Sequence, residues 1–168
     1  MNVNEKITLQ GYQPQWKTDY EQEKKEILDC LNKYQVNIEH IGSTSVKGMC
    51  AKPIIDILIG VQHFPPSDDI VQAIVDIGYE YMKEASVSNR LYFIKRIPKK
   101  YNVHIVKFRD KIWNNDIAFR DYLRQNPNAV REYSRVKRET AENGIDTLLE
   151  YSDAKAPFIF KLLNQMQH

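Results

Sequence analysis

Ile38-Glu39-His40-Ile41-Gly42-Ser43-Thr44-Ser45 is followed, after a short gap, by Lys52-Pro53-Ile54-Ile55-Asp56-Ile57-Leu58-Ile59-Gly60. An apolar run closes on Gly-Ser-Thr-Ser, and a second apolar run carries one acid in its middle. β-Branched runs bounded by turn residues read as strands, so these stretches predict strands over 36–41 and 53–61 joined through a hydroxyl-rich turn. Glycine lets backbone approach a ligand closely. The hydroxyls of Ser43, Thr44 and Ser45, with the N–H groups of such a turn, suit phosphate oxygens. Asp56 lies where both strand faces are otherwise apolar. A carboxylate there needs a partner, a metal or a cleft, because an unpaired buried charge is expensive. The plainer alternatives are a turn whose hydroxyls bond only their own backbone, and a structural ion pair of Asp56 with Lys52 or Arg90.

The surrounding sequence supplies further elements. A helix is expected over 18–34, capped by Thr18 or Asp19, with Ile27, Leu28 and Leu31 on its apolar stripe. A second helix should start at Asp68 or Asp69 and end at Gly78. Strand-like runs at 90–97 and 101–108 flank a Pro98-Lys99-Lys100 turn. From Asp110 the pattern becomes helical, in stretches near 110–125, 127–143 and 147–166 with Pro127 and Gly144 at the junctions. This order predicts an α/β (α+β) fold, a small mixed sheet with flanking helices and a helical C-terminal third.

Several polar residues have competing readings. His104 shares a strand face with Asn102 and Val106. Glu39 and His40 point to opposite faces, so only one of them can face a cleft. The cluster Lys95-Arg96-Ile97-Pro98-Lys99-Lys100 reads as a solvated hairpin. Arg120, Arg124, Arg131, Arg135, Lys137 and Arg138, interleaved with Asp121, Glu132 and Glu139, read as a solvent face of mixed charge.

Composition limits the classes. The chain has 168 residues, 42% hydrophobic and 27% charged, which suits one domain over 1–168 with a helical subregion about 110–168. A net charge of +2 gives no general case for nucleic acid as a partner. Two cysteines, Cys30 and Cys50, make no disulfide framework. The opening Met1-Asn2-Val3-Asn4-Glu5-Lys6 lacks the apolar core of a secretion signal, and no apolar run is long enough to span a bilayer. A reducing cytoplasm is the expected compartment, with no membrane partner.

The two opening stretches, with Ala118-Phe119-Arg120-Asp121-Tyr122-Leu123-Arg124 and Ala154-Lys155-Ala156-Pro157-Phe158-Ile159, resemble the GrpB family of the polymerase-beta-like nucleotidyltransferase superfamily. The resemblance covers nearly the whole chain. It implies a nucleotide or another phosphorylated small molecule as ligand, with nucleotidyl transfer as the reaction. Gly42, Ser43, Thr44, Ser45, Lys52 and Lys155 would bind phosphate or nucleotide. Asp56 would hold Mg2+, and Asp56, Glu39 and His104 would be the catalytic set. The superfamily pattern asks for a second acid two residues after Asp56, and Leu58 stands there. That departure implies the alternative of a non-catalytic binding or accessory module, related to nucleotides or to coenzyme A.

Overall fold

The computed structural model describes residues 8–142, 156–160 and 162. The central sheet has five strands: β1 (Val36–Ile41), β2 (Ile55–Val61), β3 (Glu80–Tyr81), β4 (Leu91–Lys95) and β5 (Tyr101–Lys107). Their order is β1-β2-β5-β4-β3. Only β2 and β5 run parallel; the other neighbours are antiparallel. The four longer strands are the β-branched and aromatic runs expected from sequence. β3 has two residues and no readable alternation. β2 starts at Ile55, after Pro53, which has no N–H to give a ladder.

Register divides the strands between two faces. Ile41 faces Asp56 and Asp56 faces Asn102; Glu39 faces Leu58 and Leu58 faces His104. Directly paired residues share a face, so Glu39, Ile41, Asp56, Leu58, Asn102 and His104 all lie on one side. The other side carries Ile38, Ile55, Ile57, Ile59, Val103, Ile105 and Phe93 in one apolar cluster. Helices α1 (Gln15–Cys30) and α2 (Asp68–Asp76) seal that side through Trp16, Tyr20, Ile27, Ile70 and Ile74.

Two expectations about this half need correction. α1 begins at Gln15, one turn before the expected Thr18 or Asp19 cap, because Pro14 at its start supplies a helical φ of −56°. Asp19 is instead buried inside the helix and paired with Lys99 at 2.5 Å. The basic hairpin is not simply solvated either. Lys95 is buried and bonds Glu23 at 2.9 Å and Glu26 at 3.1 Å, so the hairpin is fastened to α1.

The polar face is covered by α3 (Lys111–Gln125) and α4 (Pro127–Glu142). α3 is capped by the Asp110 carboxylate, which accepts from the Lys111 N–H at 2.8 Å. Trp113 of α3 packs on Ile41, Leu58 and Val106. Gly60 makes room for it: a Cβ there would lie 2.7 Å from the Trp113 ring. α4 joins Val46 and Met49 through Val130 and Tyr133, with Phe158 and Ile159 packed alongside. Among the described residues no helix is long and apolar enough to cross a membrane.

Candidate functional site

Where β1 ends, Gly42 takes φ +69°, a conformation that side chains resist, and turns the chain into the single helical turn Ser43–Ser45. The turn is self-fastened: the Ser45 N–H and hydroxyl both donate to the Gly42 carbonyl, at 3.2 and 2.6 Å. Gly42 lies against Asp56 so closely that a Cβ would collide with the carboxylate. The spacing that drew attention in sequence therefore becomes direct contact in space.

That contact forms one side of a cavity of about 240 Å3. Gly42, Ser43, Asp56, His104, Asp116 and Arg120 are its polar lining, and Phe119, Leu123, Tyr133 and Ile159 its apolar wall. Asn102 donates to Asp56 at 2.8 Å, and His104 Nε2 is 4.0 Å from the same carboxylate oxygen. Burial, then the nearby Arg90, pushes His104 down to about 3, so the ring is neutral. Its Nδ1 is buried without a hydrogen-bond partner among the described residues. Asp116 is held above the usual carboxylate range by burial, aided by the Asp56 charge and opposed by Arg90, which bonds it at 2.7 Å.

Two cations come from the helices, Arg120 on the cavity wall and Lys137 behind Ser43, outside the lining. Lys137 is 2% exposed and donates to the Ser43 hydroxyl at 2.9 Å and to the Cys50 carbonyl. Its ammonium lies 4.7 Å from the Tyr133 ring centre. Arg120 is buried too, bonding Glu39 at 2.6 Å, Asp121 at 2.8 Å and the His40 carbonyl at 3.2 Å. Burial alone would lower its pKa; the Asp121 and Glu39 bonds reverse the direction. The solvent-face reading of the helical half fails at these two positions. Lys137 falls one turn after Tyr133, on the stripe of Val130 and Tyr133, and that helical spacing was the available signal.

The expected site residues thus separate. Gly42, Ser43, Asp56 and His104 come together on this cavity. Thr44 is buried behind the turn, 3.0 Å from His40 Nε2, and lines a different cavity with Ser45. Glu39 shares the sheet face of Asp56 but is held by Arg120, and neither Glu39 nor Lys52 lines either cavity. Lys155 lies outside the described residues.

The donor set bears on Mg2+. Leu58, at the second-acid position, is fully buried with Ile41, Val106 and Trp113. Among the described residues no three His, Cys, Asp or Glu side chains form a metal cradle. Mg2+ is often held by one or two carboxylates with the rest of its shell from phosphates and water. Asp56 suits that shared role, and the site does not suit a pair of protein-held ions.

The GrpB protein family matches residues 6–165. The chain belongs to the GrpB family. It is 30% identical to the glutamate-rich protein GrpB of Alkalihalophilus pseudofirmus, over 99% of both chains. The crystal structure of GrpB from Enterococcus faecalis superposes with a TM-score of 0.84 at 35% identity, over 95% of this chain and 96% of that one. The Cid1 poly(U) polymerase with Mg 3'-dATP bound has a TM-score of 0.58 at 11% identity, over 86% of this chain and 49% of Cid1. That likeness gives the fold: this chain has a nucleotidyltransferase-like architecture, shared with the Cid1 polymerase.

Proposed function

We propose that this GrpB protein binds a nucleotide or another phosphorylated small molecule in the 240 Å3 cavity, with its phosphates on the Gly42-Ser43 turn. The observation that carries the reading is the buried Lys137 ammonium bonded to Ser43 at 2.9 Å, on the turn that touches Asp56. A desolvated cation beside a glycine-serine turn favours phosphate oxygens. Arg120 adds positive charge, and Phe119, Leu123 and Ile159 offer apolar contact to a base or another apolar group. Asp56 is the carboxylate suited to share a Mg2+ ion with the phosphates; such an ion would supply charge neutralisation at phosphorus. Nucleotidyl transfer to an acceptor is the matching reaction, by analogy with the nucleotide-bound polymerase and uridylyl transferases that share the fold. A second reading, a binding or accessory module without transfer, is favoured by the sealed Leu58.

The test is a melting-temperature screen of nucleotides and coenzyme A precursors with and without Mg2+. A ligand at about 100 times its Kd should stabilise the fold by about 2.7 kcal/mol, roughly 5–10 °C for a chain of this size. Asp56→Asn should keep the fold and lose most of the Mg2+-dependent part. No shift with any ligand, together with an Asp56→Asn variant more stable than the parent, would sink the reading. Turnover of a bound nucleotide separates transfer from the accessory role.

A further inference from the structure

The Gly42–Ser45 turn has a second side. Behind it lies a smaller cavity of about 110 Å3, lined by Lys17, Tyr20, His40, Thr44, Ser45 and Arg124 among others. Its size suits a single small anion and is too small for a nucleotide. Lys17 and Arg124 bring positive charge, and Glu21 is the one acid in the lining. The Arg124 Nε donates to the Ser45 carbonyl at 3.1 Å and Nη1 is 3.8 Å from Asp121, so among the described residues Nη2 is left to a ligand.

Arg120 and Arg124 lie side by side, with Asp121 and Glu39 as their carboxylate partners. Burial and then the nearby Arg120 pull the Arg124 pKa down. Burial, then Arg124 and Arg120, push His40 down to about 3, which keeps the ring neutral. His40 stacks on Tyr20 with ring centres 4.6 Å apart and shares a hydrogen with Thr44, so the cavity floor is rigid and polar. An anion would complement the Lys17 and Arg124 charges on the cavity wall.

We propose that this rear cavity binds a small tetrahedral oxyanion, either inorganic phosphate or the terminal group of a phosphate monoester, held by Lys17 and Arg124. The site is distinct from the Asp56 cavity and does not depend on what that cavity binds. It has a mechanical consequence. The occupant fixes Arg124, Arg124 fixes the Ser45 carbonyl, and Ser45 belongs to the turn that presents Ser43 on the other side.

The experiment is a titration of 15N-labelled protein with inorganic phosphate, and in parallel with glycerol phosphate, at constant ionic strength and with chloride as control. The expected result is saturable shifts at the Tyr20, His40 and Ser45 amides. Lys17→Gln, an exposed position, should weaken binding on the order of tenfold while leaving the phosphate-free melting temperature unchanged. Arg124→Gln should weaken it at least as much, and Asp56→Asn should leave it unchanged. A response to glycerol phosphate makes a monoester terminus the ligand; a response to phosphate alone makes it the free ion. Equal shifts with chloride, shifts indifferent to both Lys17→Gln and Arg124→Gln, or shifts abolished by Asp56→Asn would each overturn the proposal.

Discussion

The two faces of this sheet are made by the same strands, one residue out of step, and they have opposite character. On the α1–α2 side Ile57, Ile59, Phe93, Val103 and Ile105 are fully buried and their neighbours are apolar. Polar groups on that side are few: Tyr79 and Lys95 both bond Glu23 at 2.9 Å, and His40 lines the small rear cavity at one corner. On the α3–α4 side the same strands present Glu39, Asp56, Asn102 and His104, and the covering helices leave a cavity. One sealed face suffices to drive folding. The other face is polar, and under the proposed function it is the binding surface.

Leu58 is the sealed position on the otherwise polar face. Leu58→Asp buries a charge among Ile41, Val106 and Trp113, and should cost at least about 4 kcal/mol or prevent folding. A soluble Leu58→Asp variant with parental urea midpoint and a new Mg2+ response would extend the functional face to that position and redraw the boundary. Next, Phe93→Ala on the sealed face should cost about 3–5 kcal/mol in urea unfolding while leaving ligand affinity in the folded fraction unchanged. A change in affinity would show that the faces are coupled.

Acid sharpens the contrast further. His40 on the sealed side and His104 on the polar side are both pushed down to about 3, first by burial and then by arginine. The unfolded chain binds protons at both below about pH 6.5 and the folded chain does not, so their contribution is complete above pH 6.5 and is lost as pH falls toward 3. Each should cost about 2 kcal/mol at pH 5, and His40→Gln or His104→Gln should flatten the pH profile by that amount. Asp116, with its carboxyl raised, works in the opposite direction at low pH. If only one glutamine variant flattens the curve, the other histidine is solvated. The smallest effect should come from outside both faces: Lys25→Ala, which breaks an exposed pair with Asp29, should change stability by no more than about 0.5 kcal/mol.

Much of the fold was legible because the strands follow local rules. The runs around Ile38, Ile57, Phe93 and Val103 are β-branched or aromatic, and Gly78 ends α2 at φ +93°. Asp56 stood out as the only acid in its run, and its contact with Gly42 is the spacing realised. Lys137 and Arg120 were hidden because mixed charge on a helix normally marks a wet surface. What buries them is long-range: Ser43 lies 94 residues from Lys137 and Glu39 lies 81 from Arg120. The split between Ser43 and Thr44 is not legible in sequence, since adjacent residues of a tight turn face opposite ways: Ser43 lines the cavity of Asp56 and Thr44 the smaller one.

β1 ends the sheet on one side. Ile38 and His40 are two residues apart, so their carbonyls point the same way; Tyr20 takes the first at 3.1 Å and Arg120 the second at 3.2 Å. An open strand edge is a template on which another chain can add a strand, the first step of aggregation. Two side chains from opposite layers plug that template. The arginine that bonds Glu39 beside the cavity also occupies an edge carbonyl that an added strand would need.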